Sequence, residues 1–226
     1  MKQVNKLIQH EVNDLLRNPS MIILTILPIV MSKLIIEVID KSANNFMLLS
    51  TWVLFAQVMV GIMMMGPNLI EERESKTMDA LLITPLSFRQ IIIAKGSAVL
   101  LFSLLSQMLV LLINYGFKND LALNMLYMVL GGVIFVQIGL IIGLKVNSSK
   151  TGSAISSALM VLFFLLPTLY LSLPDWSYAL IILIPSIEIV ENLNSILNGT
   201  GMMFLETVLL CMWIGILTLW IRKLGK

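Results

Sequence analysis

The fold is decided by residues 46–85, which read FMLLSTWVLFAQVMVGIMMMGPNLI followed by EERESKTMDALLITP. Residues 46–70 contain no charged side chain, and they are long enough to cross the hydrocarbon core of a bilayer as a helix. Residues 71–79 then carry six charges, because four acids (Glu71, Glu72, Glu74, Asp79) and two bases (Arg73, Lys76) lie there. Charges of this density do not belong in lipid. The pattern therefore predicts a membrane span followed by a segment in water or against another protein.

The composition extends this prediction to the whole chain. Hydrophobic residues make up 58% of the 226 residues and charged residues 12%, with a mean hydropathy of +0.94. Soluble domains carry about 25% charged residues. We therefore expect an all-α polytopic membrane protein, with residues 1–226 forming a single transmembrane domain. The six spans are predicted at 20–39, 46–70, 91–117, 121–144, 154–173 and 202–221.

Residues 1–19 and 71–90 are predicted to form two segments on one side of the membrane. In 1–19, apolar residues share one helical face, which indicates an amphipathic interfacial helix; a cytosolic extension of the first span is the alternative. In 71–90, Met78, Leu81 and Leu82 have helical spacing and Pro85 ends the helix. Ser87 to Gln90 is typical of a capping box that opens the third span.

Residues 174–201 are predicted to form short external helices on the other side, which either stay outside or dip into the outer leaflet, with Trp176 and Tyr178 at the interface. A seventh span could be drawn through 179–184. We disfavour it because Glu188 and Glu191 would enter or flank it unpaired, which is costly in lipid.

The distribution of basic residues predicts the orientation. With the N-terminus inside, twelve of the fifteen Lys and Arg residues lie on the inner side, and only Lys33, Lys41 and Lys118 lie outside. Positive charge is enriched in cytoplasmic loops. We therefore expect both termini, and the charged segment after residue 70, to be cytoplasmic.

The sequence gives no sign of a catalytic or metal site. It has neither GxxxxGK[ST], the loop that cradles nucleotide phosphates, nor HExxH, and it contains one histidine, His10. The single cysteine, Cys211, lies in an apolar run without other metal-ligand residues around it. No basic patch with interleaved aromatic residues is present, so we expect no nucleic-acid partner.

A few polar and small residues lie within the predicted spans. Gln57, Gln107, Asn114 and Gln137 either form interhelical hydrogen bonds or, with Met63, line a weakly polar translocation path. Gly139 and Gly143 are spaced for close helix contact, within the subunit or with a second one. Lys33 and Glu37 are four residues apart, which suits an interfacial ion pair or a gating role. The span interiors otherwise lack fixed charges, which disfavours an ion-coupled carrier.

The charged segment resembles that of type-two ATP-binding-cassette (ABC) exporter permeases. In that family a cytoplasmic segment after the second span often reads E-[RK]-E-x-x-[TG]-x-x-x-L-x-x-x-P, with a basic residue about ten positions later. This chain has Glu72-Arg73-Glu74, then Thr77, Leu81 and Pro85, and then Lys95. The resemblance covers nearly the whole chain, because the six spans, the N-terminal helix and the external helices also agree.

The resemblance implies a function and partners. Two permease subunits, identical or related, would enclose a path through the bacterial plasma membrane, and each would dock a separate ATPase that binds ATP and Mg. The cargo would be an amphipathic or hydrophobic peptide, antibiotic or lipid-like molecule, and this chain would carry no cofactor. A non-transporting scaffold or immunity protein that binds a toxic peptide is the alternative. ATPase coupling would fall to Glu71, Glu72, Arg73, Glu74, Thr77, Met78, Leu81, Leu82 and Pro85.

Overall fold

The fold is known from a computed structural model, which describes residues 2–39, 46–78, 83, 86–118, 120–169, 181 and 183–224. Every regular element in these ranges is a helix. The elements are α1 (Lys2–Arg17), α2 (Pro19–Ile39), α3 (Phe46–Val58), a π-helical segment (Met59–Met64), α4 (Met65–Glu74), α5 (Phe88–Tyr115), α6 (Leu121–Lys145), α7 (Ser149–Leu169), α8 (Pro185–Leu197) and α9 (Phe204–Leu224).

Six helical units are long and apolar enough to cross a membrane, so the predicted six-span, all-α fold is confirmed. They are α2, α5, α6, α7, α9 and the continuous 29-residue unit Phe46–Glu74 formed by α3, the π-helical segment and α4. Two boundaries differ from the prediction by more than three residues within the described ranges, and the predicted end of the fifth span at 173 lies outside them. The second span continues to Glu74 instead of ending at 70, and the fifth begins at Ser149 instead of 154.

The second and fourth spans form the centre of the bundle. The most apolar stretch of Phe46–Glu74 is 72% buried and that of α6 is 61% buried, whereas those of α7 and α9 are each 17% buried. Side chains such as Leu162 on α7 and Leu219 on α9 are apolar and exposed, as expected for lipid-facing helices. The chain therefore keeps its packed core on α3, α4 and α6.

Glycines allow α6 to approach the second span closely. A Cβ atom on Gly139 would lie 2.7 Å from the carbonyl oxygen of Gly61, and one on Gly143 would lie 2.8 Å from the Leu69 side chain. Contacts this short require the absence of a side chain. The spacing of Gly139 and Gly143 thus serves packing inside the chain, which answers one of the two options left open by the sequence.

This contact gives a direct prediction. We expect Gly139→Ala to lower the melting temperature of the detergent-purified protein. The new methyl group would clash with backbone atoms of the π-helical segment, and such overpacking costs about 1–3 kcal/mol. Gly215→Ala on α9 is the matched control, since a Cβ there meets nothing within 4 Å. Equal melting temperatures for the two variants would contradict the assigned packing.

The two ends of the bundle differ in their contents. One end of the bundle is called the terminal face. It contains α1, residues 71–78, the start of α5, residues 145–149 and the end of α9. The other end, which holds residues 116–118 and 198–203, is called the opposite face.

Helices α1 and α2 are separated at Asn18. The Asn18 side chain accepts a hydrogen bond from the backbone N–H of Ser20 at 3.1 Å, and Pro19 is the first residue of α2.

Helix α8 lies beside the spans and not wholly outside them, so the described part of 174–201 agrees with the alternative in which this segment dips inward. The indole N–H of Trp213, in the middle of α9, donates to the carbonyl oxygen of Leu183 at 2.8 Å, so α8 starts at mid-height of the bundle. From there it runs to the opposite face, where α9 begins. Glu188 on α8 is fully buried, and neither of its carboxylate oxygens bonds a described residue. Trp176, Tyr178 and most of 170–182 lie outside the described residues.

Candidate functional site

Helix α4 brings the charged residues of the second span onto the terminal face. The helix continues without a break through Glu74, and it ends where Lys76 adopts the left-handed conformation at φ 59°. Consecutive residues on an α-helix point about 100° apart. Glu72, Arg73 and Glu74 therefore face three different parts of the molecule.

Glu72 belongs to a buried ion cluster with Lys95 and Glu11. The Lys95 ammonium lies 2.7 Å from a carboxylate oxygen of Glu11 and 2.7 Å from the Glu72 carboxylate. The side chains of Lys95 and Glu11 are 5% and 8% exposed. Lys95 is the eighth residue of α5, so this base lies within the third span, as the predicted bounds 91–117 imply, near its end at the terminal face. The cluster joins α1, α4 and α5 through one ammonium group.

Arg73 binds the end of α6. Its guanidinium donates to the carbonyl oxygens of Gly143 (2.8 Å), Leu144 (3.0 Å) and Val146 (3.1 Å). These are carbonyls at a helix C-terminus, which lack partners within the helix and carry partial negative charge. Arg73 therefore stabilises the last turn of α6 and ties it to the second span.

Glu74 binds the start of α7. Its carboxylate accepts from the backbone N–H of Ser149 at 3.0 Å and from the Ser149 hydroxyl group. An acid at a helix N-terminus satisfies free N–H groups and complements the helix dipole. This contact explains why the fifth span begins at Ser149, since the first residue of α7 gains a partner from the second span.

The other predicted coupling residues have different environments. Glu71 and Thr77 are exposed, and the Thr77 hydroxyl donates to the Glu72 carbonyl oxygen at 3.0 Å. Met78 is 4% exposed and packs in the chain's own core, so its assignment to ATPase coupling stays a prediction. The left-handed turn at Lys76 directs the Met78 side chain inward. Leu81, Leu82 and Pro85 lie outside the described residues.

The capping box at the start of α5 is confirmed. The backbone N–H of Ser87 donates to the Gln90 side chain at 2.8 Å, and the backbone N–H of Gln90 donates to the Ser87 hydroxyl at 3.4 Å. This reciprocal pair fixes where the chain re-enters the third span.

A cleft of about 850 Å³ opens on the terminal face between α1 and residues 68–77. Five acids and one lysine line it, together with His10, whose imidazole lies 2.9 Å from Asp14. The acids are Glu11, Asp14, Glu71, Glu72 and Glu74. The cleft therefore offers an acidic wall to whatever meets this face.

The polar residues predicted for a translocation path are separated by the fold. The Gln57 amide donates to Gln107 at 2.9 Å in the core. Asn114 donates to Ser32 at 3.1 Å, and Gln137 donates to Thr218 at 2.8 Å. These three bonds join different helix pairs, while Met63 is half-buried in the π-helical segment. The interhelical bonds are thus present, and a path along these residues stays a prediction.

Two further expectations from the sequence concern the Lys33–Glu37 pair and metal binding. Lys33 and Glu37 form the ion pair expected from their spacing, at 2.7 Å, and both side chains are about half exposed. Within the described ranges, no group of three or more His, Cys, Asp or Glu residues is placed to hold a metal ion.

Comparison with known proteins identifies the family of this chain. A family model described as "ABC-2 family transporter protein" matches residues 1–221. The chain belongs to the ABC-2 transporter family. It is accordingly the permease subunit of an ABC transporter and a multi-pass membrane protein, and the family implies an ABC ATPase subunit as partner. A search of curated proteins finds no match.

Proposed function

We propose that this permease subunit exports amphipathic or hydrophobic cargo, such as a peptide, an antibiotic or a lipid-like molecule, from a bacterial cytoplasm. A separate ATPase subunit binds ATP and Mg and supplies the energy, and a second permease subunit, identical or related, completes the path. The terminal face lies in the cytoplasm, with both chain termini on that side.

The arrangement of Glu72, Arg73 and Glu74 carries this proposal. Each residue bonds a different element: Glu72 reaches α5 and α1 through Lys95, Arg73 holds the end of α6, and Glu74 holds the start of α7. All three lie within 71–90, the segment proposed to couple this chain to the ATPase. A displacement of that segment would therefore act on three spans and on α1 at once, as coupling between ATP hydrolysis and transport requires.

The acidic cleft is the proposed docking place for the ATPase. Glu71, Lys76 and Thr77 are exposed at or beside it, whereas Glu72, Arg73 and Glu74 are occupied by bonds within the chain. Electrostatic docking of the ATPase therefore depends on Glu71 and its exposed neighbours. The bonded residues Glu72, Arg73 and Glu74 transmit the movement of the ATPase to the spans. Basic side chains on the partner would complement the cleft.

The cargo class is proposed from the polarity of the spans. Gln57 and Asn114 donate hydrogen bonds to neighbouring helices, and Gln107 accepts the bond from Gln57. The side-chain oxygens of Gln57 and Asn114 bond no described residue but are buried, so these amides are not exposed to a hydrophilic solute. The exposed surfaces of α2 and α7 are apolar, as at Ile23 and Val161. A path formed with a second subunit from such surfaces would favour apolar or amphipathic cargo.

The test is affinity purification from native membranes in mild detergent, followed by identification of bound proteins and assay of ATP hydrolysis. We expect a stoichiometric ATPase with the wild-type chain, and its loss with Glu71→Arg, because the exposed acid would be replaced by a repelling charge on a basic partner surface. Leu81→Pro, which would break the predicted coupling helix, should have the same effect.

Glu37→Arg on the opposite end of α2 is the control, since it makes the same charge change on an exposed residue far from the cleft. It should retain the ATPase. Retention of the ATPase by Glu71→Arg and Leu81→Pro would contradict the docking site. A well-folded wild-type chain without any ATPase would favour the non-transporting scaffold or immunity protein instead.

A further inference from the structure

A second surface feature lies outside the coupling site. A groove of about 350 Å³ runs along the outside of the bundle between α5 and α9, with α6 as its floor. Its walls are apolar over most of their length, and they include Ile92, Leu100, Val133, Val136, Leu140 and Ile221. Ile93 on its rim is 60% exposed, so the groove opens sideways on a surface that faces lipid.

The end of the groove at the terminal face is basic. Arg89, the second residue of α5, and Arg222, near the end of α9, both line it and are exposed. No acid among the described residues lines the groove, and neither guanidinium forms an ion pair or hydrogen bond with any of those residues. Arg73, by contrast, is fully occupied. The N-terminus of α5 adds the positive end of a helix dipole at the same place.

We propose that the groove is a binding site for an anionic phospholipid of the leaflet next to the terminal face. The acyl chain lies along the apolar walls, and the phosphate lies between Arg89 and Arg222. Basic pockets between membrane helices on the cytoplasmic side suit anionic headgroups, and burial of methylene groups adds to the affinity. The site is independent of the direction of transport and of the cargo.

The charge of the groove favours an anionic lipid over a helix of a second subunit. From Arg89 to Leu100, α5 covers roughly 16 Å, because each residue rises 1.5 Å. An apolar helix along that length would cover the two guanidinium groups without offering them an anion, whereas the headgroup of an anionic lipid pairs with them. A hydrocarbon chain is much thinner, and it enters directly from the bilayer to which the groove is open.

The experiment is native mass spectrometry of the delipidated protein, titrated with phosphatidylglycerol or with phosphatidylcholine carrying the same acyl chains. We expect phosphatidylglycerol to bind more tightly. The double variant Arg89→Gln/Arg222→Gln should weaken phosphatidylglycerol binding roughly 30-fold, because each basic residue near an anionic surface contributes about fivefold. Binding of phosphatidylcholine should change little. Ser97→Trp, which fills the groove, should weaken both lipids.

The matched control is Lys76→Gln/Lys150→Gln, which removes two exposed cations from the same face but outside the groove. It should leave phosphatidylglycerol binding unchanged. An equal loss with both double variants, or equal binding of the two lipids by the wild type, would overturn the proposal in favour of general attraction to a basic face. Displacement of bound lipid by glycerol 3-phosphate alone would instead indicate a site for free phosphate.

Discussion

Replacing Lys95 with methionine is expected to destabilise the protein strongly. The change removes the ammonium group but leaves the carboxylates of Glu11 and Glu72 close together and largely buried. Breaking a buried ion pair by removing one partner costs about 3–5 kcal/mol, because the remaining charge is neither solvated nor paired. The melting temperature of detergent-purified Lys95→Met should fall accordingly, with lower yields of monodisperse protein.

A triple variant separates stability from coupling. Glu11→Gln/Glu72→Gln/Lys95→Met removes all three charges and keeps the side-chain volumes similar, and neutral replacements of buried ionic clusters are often tolerated. We expect it to recover most of the melting temperature. Cargo-stimulated ATP hydrolysis with the partner ATPase should stay low, because α1 and α5 would no longer be tied to α4. Recovery of both properties would show that the cluster is only structural.

The helical architecture could be predicted from the sequence because hydropathy over about 20 residues is a strong signal. The second span was predicted to end at 70 because six charges follow, yet the helix extends to Glu74. The partners that permit this are Lys95, the end of α6 and Ser149, all more than 20 positions away in sequence. Hydropathy contains no information about such pairing.

The position of α8 could not be predicted for a similar reason. The sequence predicts short external helices for 174–201 and disfavours a seventh span because of Glu188 and Glu191, and residues 179, 180 and 182 lie outside the described residues. The structure instead buries Glu188 within the bundle. A short helix that starts beside the middle of α9 is neither a span nor a surface element, so counting apolar residues cannot identify it.

The sequence also predicts only some of the side chains that form the candidate site. The motif picked out Glu72, Arg73, Glu74 and Lys95, and these residues do lie together on the terminal face. The contribution of Glu11 was missed, because α1 was interpreted only from its apolar face. An acid at position 11 among the polar residues of an amphipathic helix has no sequence signal that marks it as buried.

Replacing Arg73 with alanine is expected to uncouple the second span from α6. Three carbonyl oxygens at the end of α6 and in the following residues would lose their charged donor. Hydrogen bonds to charged groups contribute about 1.5–3 kcal/mol each, and water can replace part of them at this face, so we expect a loss of roughly 3 kcal/mol. Arg73→Lys should recover only part of it, since an ammonium lacks the planar fork that reaches several carbonyls.

The control for Arg73→Ala is Lys76→Gly. It removes a cation three residues away that is exposed, and glycine suits the left-handed conformation at φ 59°, so stability should stay the same or rise slightly. Thermal melting of the purified protein and cargo-stimulated ATP hydrolysis in the assembled transporter are the two measurements. If Arg73→Ala and Lys76→Gly gave the same values in both, the guanidinium would not be a link between the spans, and coupling would have to pass through Lys95 or Ser149 instead.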